Sequence, residues 1–492
     1  MAGIGFELKR LFKKEGVFST IFAGVHATTV TIGPTLIVII ALNIMYMLPP
    51  YIEMAYQDKE VLSSTILYVF IFSLILASPI NIILSRYMAD KIYEEEFTTI
   101  FTAVETGGVL IAISVAVLGI PFGYAMYTIG DLPLYYVFVS YLFFAGLSFT
   151  FYYMTFITVL KEYGKITYSF LGSLIIGFLF VVICVYLLDV GITDAILFGL
   201  TLSFCLIAML LLLFIKKTFR QHSPNYKELF HYIRKDKWLI MANLFYIWGL
   251  YIHNFVFWFL SDYKIVVANV FVSAPDYDMA TYLAMLSNIS ILVIFVVNVE
   301  TKFHTDYKAY CESIIGAAGK DIRRSKTKMI ETLRRETIYI MQIQVIVNII
   351  VYIAALVILP RIGIEGVVLS MYPVLSVGYM ILYLVQCLMI YLFYLDDAKG
   401  AAFVGAVFMV GTFLGSLATV HLAPALSGLG VVFGASCGFT VAFFRIRYML
   451  IHLDRHIYGR GKIVKQVKNL TGEHEQVSVY ACTGKKKGGD SY

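Results

Sequence analysis

Between positions 243 and 258 the sequence interleaves amides with large aromatic rings: Asn243, Trp248, Tyr251, Asn254 and Trp258. At about 100° per residue they fall within an arc of roughly 140° on one helix face. Rings stack on the apolar faces of pyranose sugars and amides exchange hydrogen bonds with hydroxyls, so this face suits an uncharged polar ligand. The same residues also fit an aromatic belt at a membrane surface, with asparagines bonding across a helix interface. A second face gathers Ser19, Phe22, His26, Thr29 and Gly33. Gly33-Pro34 interrupts that helix near its middle, because proline removes a backbone donor and clashes with the preceding turn. The resulting bend is either a gating hinge or a static kink, and His26 is either a hydrogen-bonded interior histidine or a proton carrier. Glu105 and Glu300 are the carboxylates placed inside apolar runs, each near a basic end where Arg86 or Lys302 could pair with it. A central, deeply buried position would instead make either one a coupling site for protons or cations.

No phosphate-binding glycine loop, nucleophile elbow or His and Cys cluster at metal spacing accompanies these residues. The six cysteines (Cys184, Cys205, Cys311, Cys387, Cys437, Cys482) are scattered and read as apolar filler. The expectation is therefore a protein that is not an enzyme and needs no cofactor or metal.

The elements that position these groups follow from hydropathy. With 60% hydrophobic and 14% charged residues and a mean hydropathy of +0.81, the 492-residue chain does not fit a water-soluble surface. Its apolar runs are long and continuous, which excludes a β-barrel and leaves helices as the way to satisfy the backbone in lipid. Twelve spans are expected, at 17–45, 62–85, 98–123, 133–158, 167–187, 193–215, 239–261, 279–301, 337–359, 367–395, 400–419 and 426–444. The N-terminus, the even-numbered loops and the tail hold 35 of the 38 Lys and Arg, so both termini are expected in the cytoplasm. The net charge of +6 is this asymmetry and calls for no nucleic acid. Acidic residues, among them Glu53, Asp58, Glu60, Asp262, Asp276 and Asp278, are assigned to the outer loops. No cleavable signal peptide is apparent, and the first helix is expected to insert itself.

The polar break at 216–238 divides the spans into six plus six. The expected organisation is an amphipathic basic segment at 1–16 on the inner membrane surface, an N-lobe at 17–215, a cytoplasmic loop at 216–238 and a C-lobe at 239–444. A disordered tail is expected over 445–492. Within the C-lobe, 302–336 carries Phe303, Tyr307, Tyr310, Ile314 and Ile322 at helical spacing beside Lys320, Arg323, Arg324, Lys326 and Lys328, and reads as an interfacial helix facing lipid or a partner. No internal sequence repeat stands out, so pseudo-symmetry of the lobes rests on topology alone.

The opening AGIGFELKRLF, the stretch Pro275-Asp276-Tyr277-Asp278, and Asn298-Val299-Glu300-Thr301-Lys302-Phe303 followed by Tyr307 and Tyr310 together resemble the PelG family of inner-membrane exopolysaccharide transporters. The likeness covers nearly the whole chain. It implies an all-α integral membrane fold of the multidrug, oligosaccharidyl-lipid and polysaccharide flippase superfamily, with two six-helix lobes around a central cavity. It also implies export of an N-acetylhexosamine-rich exopolysaccharide across the bacterial cytoplasmic membrane. The partners it implies are a cytosolic glycosyltransferase and membrane scaffold proteins that include a cyclic-di-GMP receptor. Competing readings are a flippase for undecaprenyl-linked oligosaccharide, a cation-coupled multidrug exporter, a non-transporting scaffold and a membrane-embedded glycosyltransferase. The first would need a cationic cavity for pyrophosphate, yet no span contains Lys or Arg. The last would need acidic ligands at a cytosolic mouth, where no such motif occurs.

Overall fold

The computed structural model describes Pro34 and residues 37–455, except 161, 220–222, 224–225 and 362–365; the side chains of 50, 93, 163, 300, 301 and 315 also fall outside the description. The expected basic segment 1–16, the candidate residues His26, Thr29 and Gly33, and the tail from 456 lie outside the described residues. The helices are α1 (Ile37–Tyr46), then α2 (Tyr56–Tyr93), α3 (Ile100–Thr128), α4 (Leu134–Val159), α5 (Tyr163–Tyr186), α6 (Ile192–Thr218), the short α7 (Glu228–Lys235) and α8 (Lys237–Leu260). A hairpin of β1 (Ile265–Val267) and β2 (Phe271–Ser273) leads into α9 (Pro275–Asn288), α10 (Ser290–Asn298), α11 (His304–Gly316), α12 (Gly319–Arg361), α13 (Val367–Tyr394), α14 (Ala398–Thr419) and α15 (Leu429–Ile451).

Among the described residues, eleven helical spans are long and apolar enough to cross a membrane, with α9 and α10 forming one of them. With α1, which belongs to the first apolar run, they account for the twelve expected spans. The chain is an all-α integral membrane protein, and its helices form two groups with the same neighbour pattern. In the first, α4 lies against α2 and α6 while α5 lies against α6; in the second, α13 lies against α9 and α15 while α14 lies against α15. The groups meet chiefly where α2 runs along α8. Lipid gives helices no hydrophobic reason to associate, so small residues that admit close approach do the work. Gly434 faces Thr412 and Gly430 faces Ser416 across α14 and α15, with no room for a Cβ on either glycine.

Two expectations, one of a helix boundary and one of charge placement, are corrected for a physical reason. The helix α12 starts at 319 rather than 337, because Met329, Leu333, Glu336, Ile340 and Gln344 continue one buried face without interruption. At about 1.5 Å per residue it is roughly twice as long as a hydrocarbon core is thick, so its first half projects beyond the membrane. There α11 packs beside it: Asp306 takes Lys328 at 2.9 Å and the Thr332 hydroxyl at 2.7 Å. Asp454, just past α15, takes Lys326 and the Tyr310 hydroxyl, each at 2.7 Å. Burial alone would raise the Asp454 carboxyl, but those two hydrogen bonds and the nearby charges of Lys326 and Arg323 outweigh it and hold it below its ordinary value. The segment 302–336 is thus a π-helical turn (Val299–Phe303) followed by a helical hairpin, not one interfacial helix. The second difference concerns charge. Asp194 occupies the first turn of α6, where the Tyr135 hydroxyl donates to it at 2.9 Å, and Asp278 lies inside α9 rather than in a loop, so Glu105 and Glu300 are not the only carboxylates in spans.

Candidate functional site

Proline 79 sits inside α2 and leaves the carbonyl of Ile75 without its helical donor. The Ser78 hydroxyl donates to that carbonyl at 3.3 Å, a local repair typical of membrane helices. At this distorted turn the Asn243 amide of α8 donates to the Ser78 carbonyl at 2.9 Å. It is a neutral contact between the two helix groups, in the second turn of α8.

A second contact closes the groups at the end of α8 that bears the hairpin. Tyr68 of α2 stacks on Trp258 of α8, ring centres 4.9 Å apart and planes within 8°. The Tyr68 hydroxyl donates to the Val272 carbonyl at 2.8 Å and accepts from the Val272 amide at 3.0 Å, so one side chain occupies both backbone groups of β2 that face it. Phe271 meets the Tyr68 ring edge-on at 5.2 Å and Phe122 of α3 stacks on its other side at 5.7 Å. The hairpin turn places Ala268 and Asn269 at φ 48° and 51°, the left-handed pair that matches strand twist. Its tip reaches Gly130 just beyond α3, where an added Cβ would come within 3.1 Å of the Ala268 carbonyl oxygen and of Val270.

Asp278 anchors this latch from below. One carboxylate oxygen accepts from the Asn254 amide at 2.8 Å, and the Trp258 indole N–H lies 2.9 Å from both oxygens. The other oxygen reaches back to the Ala274 amide at 3.2 Å, satisfying an orphan donor at the start of α9 much as a capping box does. Three N–H groups from α8 and the α9 cap therefore converge on one buried carboxylate, while Asn254 Oδ1 is buried without a partner. One residue earlier, His253 bonds the hydroxyls of Tyr277 at 2.9 Å and Tyr379 at 3.3 Å, joining α8 to α9 and α13.

A third polar feature lies where α9 passes into α10. The Asn288 side-chain oxygen Oδ1 accepts from Gln344 at 3.1 Å and Asn348 at 3.0 Å, while its side-chain N–H donates to the Ser376 carbonyl at 3.0 Å. Ser290 donates to Gln344 at 2.7 Å. Asn288 and Gln344 are fully buried, so the kink of this span is clamped to α12 and α13 by amides rather than charges.

The sequence candidates separate accordingly. Asn243 and Trp258 stand at the seam between the groups, Trp258 fully buried and Asn243 half-buried, while Asn254 is buried against Asp278 within the second group. Trp248 and Tyr251 are half-buried, with Trp248 packing on Phe255 at 5.9 Å. Pro34 is buried, but its neighbours Gly33, His26 and Thr29 lie outside the described residues, as does the Glu300 side chain. Glu105 is half-buried near the start of α3. Of the basic residues suggested as partners of these carboxylates, Lys302 pairs with buried Glu336 at 2.9 Å and Arg86 with Asp90 at 3.8 Å. Sequence reasoning missed Tyr68 and Asp278. Placing Asp278 outside the helix hid it, although Pro275 at the first position of a helix was a readable start signal.

Weakening the latch without removing its ring is the direct check on its role. Tyr68→Phe deletes both hydrogen bonds to Val272, and at about 1 kcal/mol each this shifts the closed population by roughly tenfold or more. A cysteine at Phe72, beneath the hairpin, should then react faster with a maleimide added on the hairpin side. Equal rates in both backgrounds would show that the hairpin does not gate access.

Two groups of helices meeting at such a seam give the chain the fold of solved MATE transporters. A multidrug-resistance MATE transporter of the MOP superfamily in an outward-facing conformation aligns with a TM-score of 0.57 at 14% identity, covering 87% of this chain and 96% of its own. A MATE protein in a bent conformation gives 0.57 at 15%, covering 92% and 99%. A MOP transporter from Pyrococcus furiosus, described as having a binding pocket of reversed polarity, gives 0.53 at 14%, covering 87% and 96%. No curated protein sequence matches the chain. The chain belongs to the PelG family, described as a putative exopolysaccharide exporter (EPS-E), whose model matches residues 1–458.

Proposed function

We propose that this membrane transporter exports an N-acetylhexosamine-rich polysaccharide across the bacterial cytoplasmic membrane by alternating access of two lobes, 17–215 and 239–444. The observation that carries the reading is the neutral seam. Among the described residues no Lys or Arg pairs with Asp278, Tyr68 or Asn243; the lobes are joined here by a ring stack, a tyrosine hydroxyl on the hairpin backbone and one amide, with the capped Asp278 carboxylate behind them. A lipid-pyrophosphate flippase would place cations along such a path, whereas a neutral polymer sliding through needs many weak contacts. The latch has the right strength for a cycle. Two hydrogen bonds and one ring stack amount to a few kcal/mol, enough to hold the hairpin face shut and weak enough to open repeatedly. The partners proposed are a cytosolic glycosyltransferase that supplies the polymer and membrane scaffold proteins that include a cyclic-di-GMP receptor.

In this reading the hairpin faces outward and the 216–238 loop, the α11–α12 hairpin and both termini face the cytoplasm. A single cysteine replacing Tyr226 should be protected from an impermeant thiol reagent in intact cells, and one replacing Asp262 should react. The reverse pattern would overturn the orientation. Secreted polymer measured per inserted transporter, in a strain lacking the chromosomal copy, tests the export itself; normal secretion without the protein would refute it.

A further inference from the structure

Along α12 the buried face is matched by an opposite face that none of the described residues covers. Ile338, Ile346, Ile350, Ile353 and Val357 are all more than two-fifths exposed, an arrangement suited to lipid tails. From Ile338 to Val357 the rise is about 29 Å, close to the thickness of a hydrocarbon core. This places the basic-side boundary of the membrane at Ile338 and sets Arg334 and Arg335 one turn below it, at the level of lipid phosphates. There the helix surface has a shallow recess of about 360 Å³ lined by Glu331, Arg334, Arg335, Ile338, Tyr339 and Gln342.

We propose that this recess holds the headgroup of an anionic phospholipid. Successive residues on a helix diverge by about 100°, so the two guanidinium groups approach a phosphate from different sides. Each can bond it through two N–H donors, which an ammonium cannot match. Arg335 touches buried Glu336 at 3.3 Å yet remains 72% exposed, and Arg334 forms no ion pair among the described residues. Glu336 is in turn neutralised by Lys302, whose ammonium lies 5.7 Å from the Tyr339 ring. Glu331 offsets one of the two arginines, and the recess keeps a positive balance. The Tyr339 hydroxyl and Gln342 amide supply further donors for a phosphate or glycerol oxygen. The apolar stripe directly above selects the source: a lipid gains contact with it through its acyl chains, whereas a soluble phosphate gains nothing there. The inference needs only that the chain spans a membrane, and stands apart from the identity of the exported polymer.

Native mass spectrometry of the purified full-length protein with added phosphatidylglycerol or phosphatidylcholine tests it. The wild type should retain phosphatidylglycerol preferentially, and R334Q/R335Q should bind it roughly 30-fold more weakly. R334K/R335K should fall between the two, because lysine keeps the charge and loses the fork; this variant decides the matter should the glutamines impair folding. K320Q/R324Q, which removes as much charge from the same segment farther from the boundary, should bind as the wild type does. Equal loss in that control, unchanged binding in R334Q/R335Q, or displacement of the lipid by millimolar glycerol phosphate would each overturn the proposal.

Discussion

Bridging the hairpin to the first helix group should stop export almost completely. Cysteines replacing Ile129 and Val270 flank the point where the hairpin tip reaches Gly130, and a short bismaleimide can join them in a background without the native cysteines. The latch itself is worth only a few kcal/mol and under the proposed alternating access breaks in each cycle, whereas a covalent bridge cannot open under any ligand or gradient. Secretion should drop to background in the bridged protein and return when a reducible linker is cleaved. Each single-cysteine variant treated with the same reagent should export normally. Undiminished secretion from fully bridged protein would mean that the hairpin stays seated during transport, and the path would have to lie elsewhere.

How much of this was readable beforehand depends on the range of the interaction. Spans are local: runs of apolar residues fix eleven helices to within a few positions for most boundaries, because lipid leaves the backbone no alternative to helix. The early start of α12 was partly visible in the periodic residues of 302–336, but periodicity alone could not show that the helix continues unbroken into the membrane. The latch was not visible at all. Its strands are three residues each, too short to signal themselves, and the Tyr68 partner of Val272 lies 204 positions away. Residue type and spacing single out the rings and amides on α8, but that Asn254 and Trp258 meet Asp278 and Tyr68 emerges only from the packed helices.

Removing Asp278 or Trp258 should have the second large effect, and the pattern among variants distinguishes a gate from a fold-stabilising core. Asp278→Ala strips acceptors from the Trp258 indole, the Asn254 amide and the Ala274 backbone at once; each buried donor left unpaired costs about 1–3 kcal/mol. Trp258→Ala leaves a void beside Tyr68, and truncating a buried ring of this size costs about 3–5 kcal/mol. Trp258→Phe keeps a ring against Tyr68 and loses only the bond to Asp278. Secreted polymer per membrane-inserted transporter should therefore fall most for Asp278→Ala and Trp258→Ala, with Trp258→Phe intermediate. Because Tyr68 and Trp258 act on one stack, combining Tyr68→Ala with Trp258→Ala should lower secretion little beyond either change alone, the signature of a shared interaction. If the loss of secretion in every variant simply tracked the loss of inserted protein, these residues would hold the fold and not the gate. A multiplicative double variant would separate Tyr68 from Trp258 and break the latch into independent contacts.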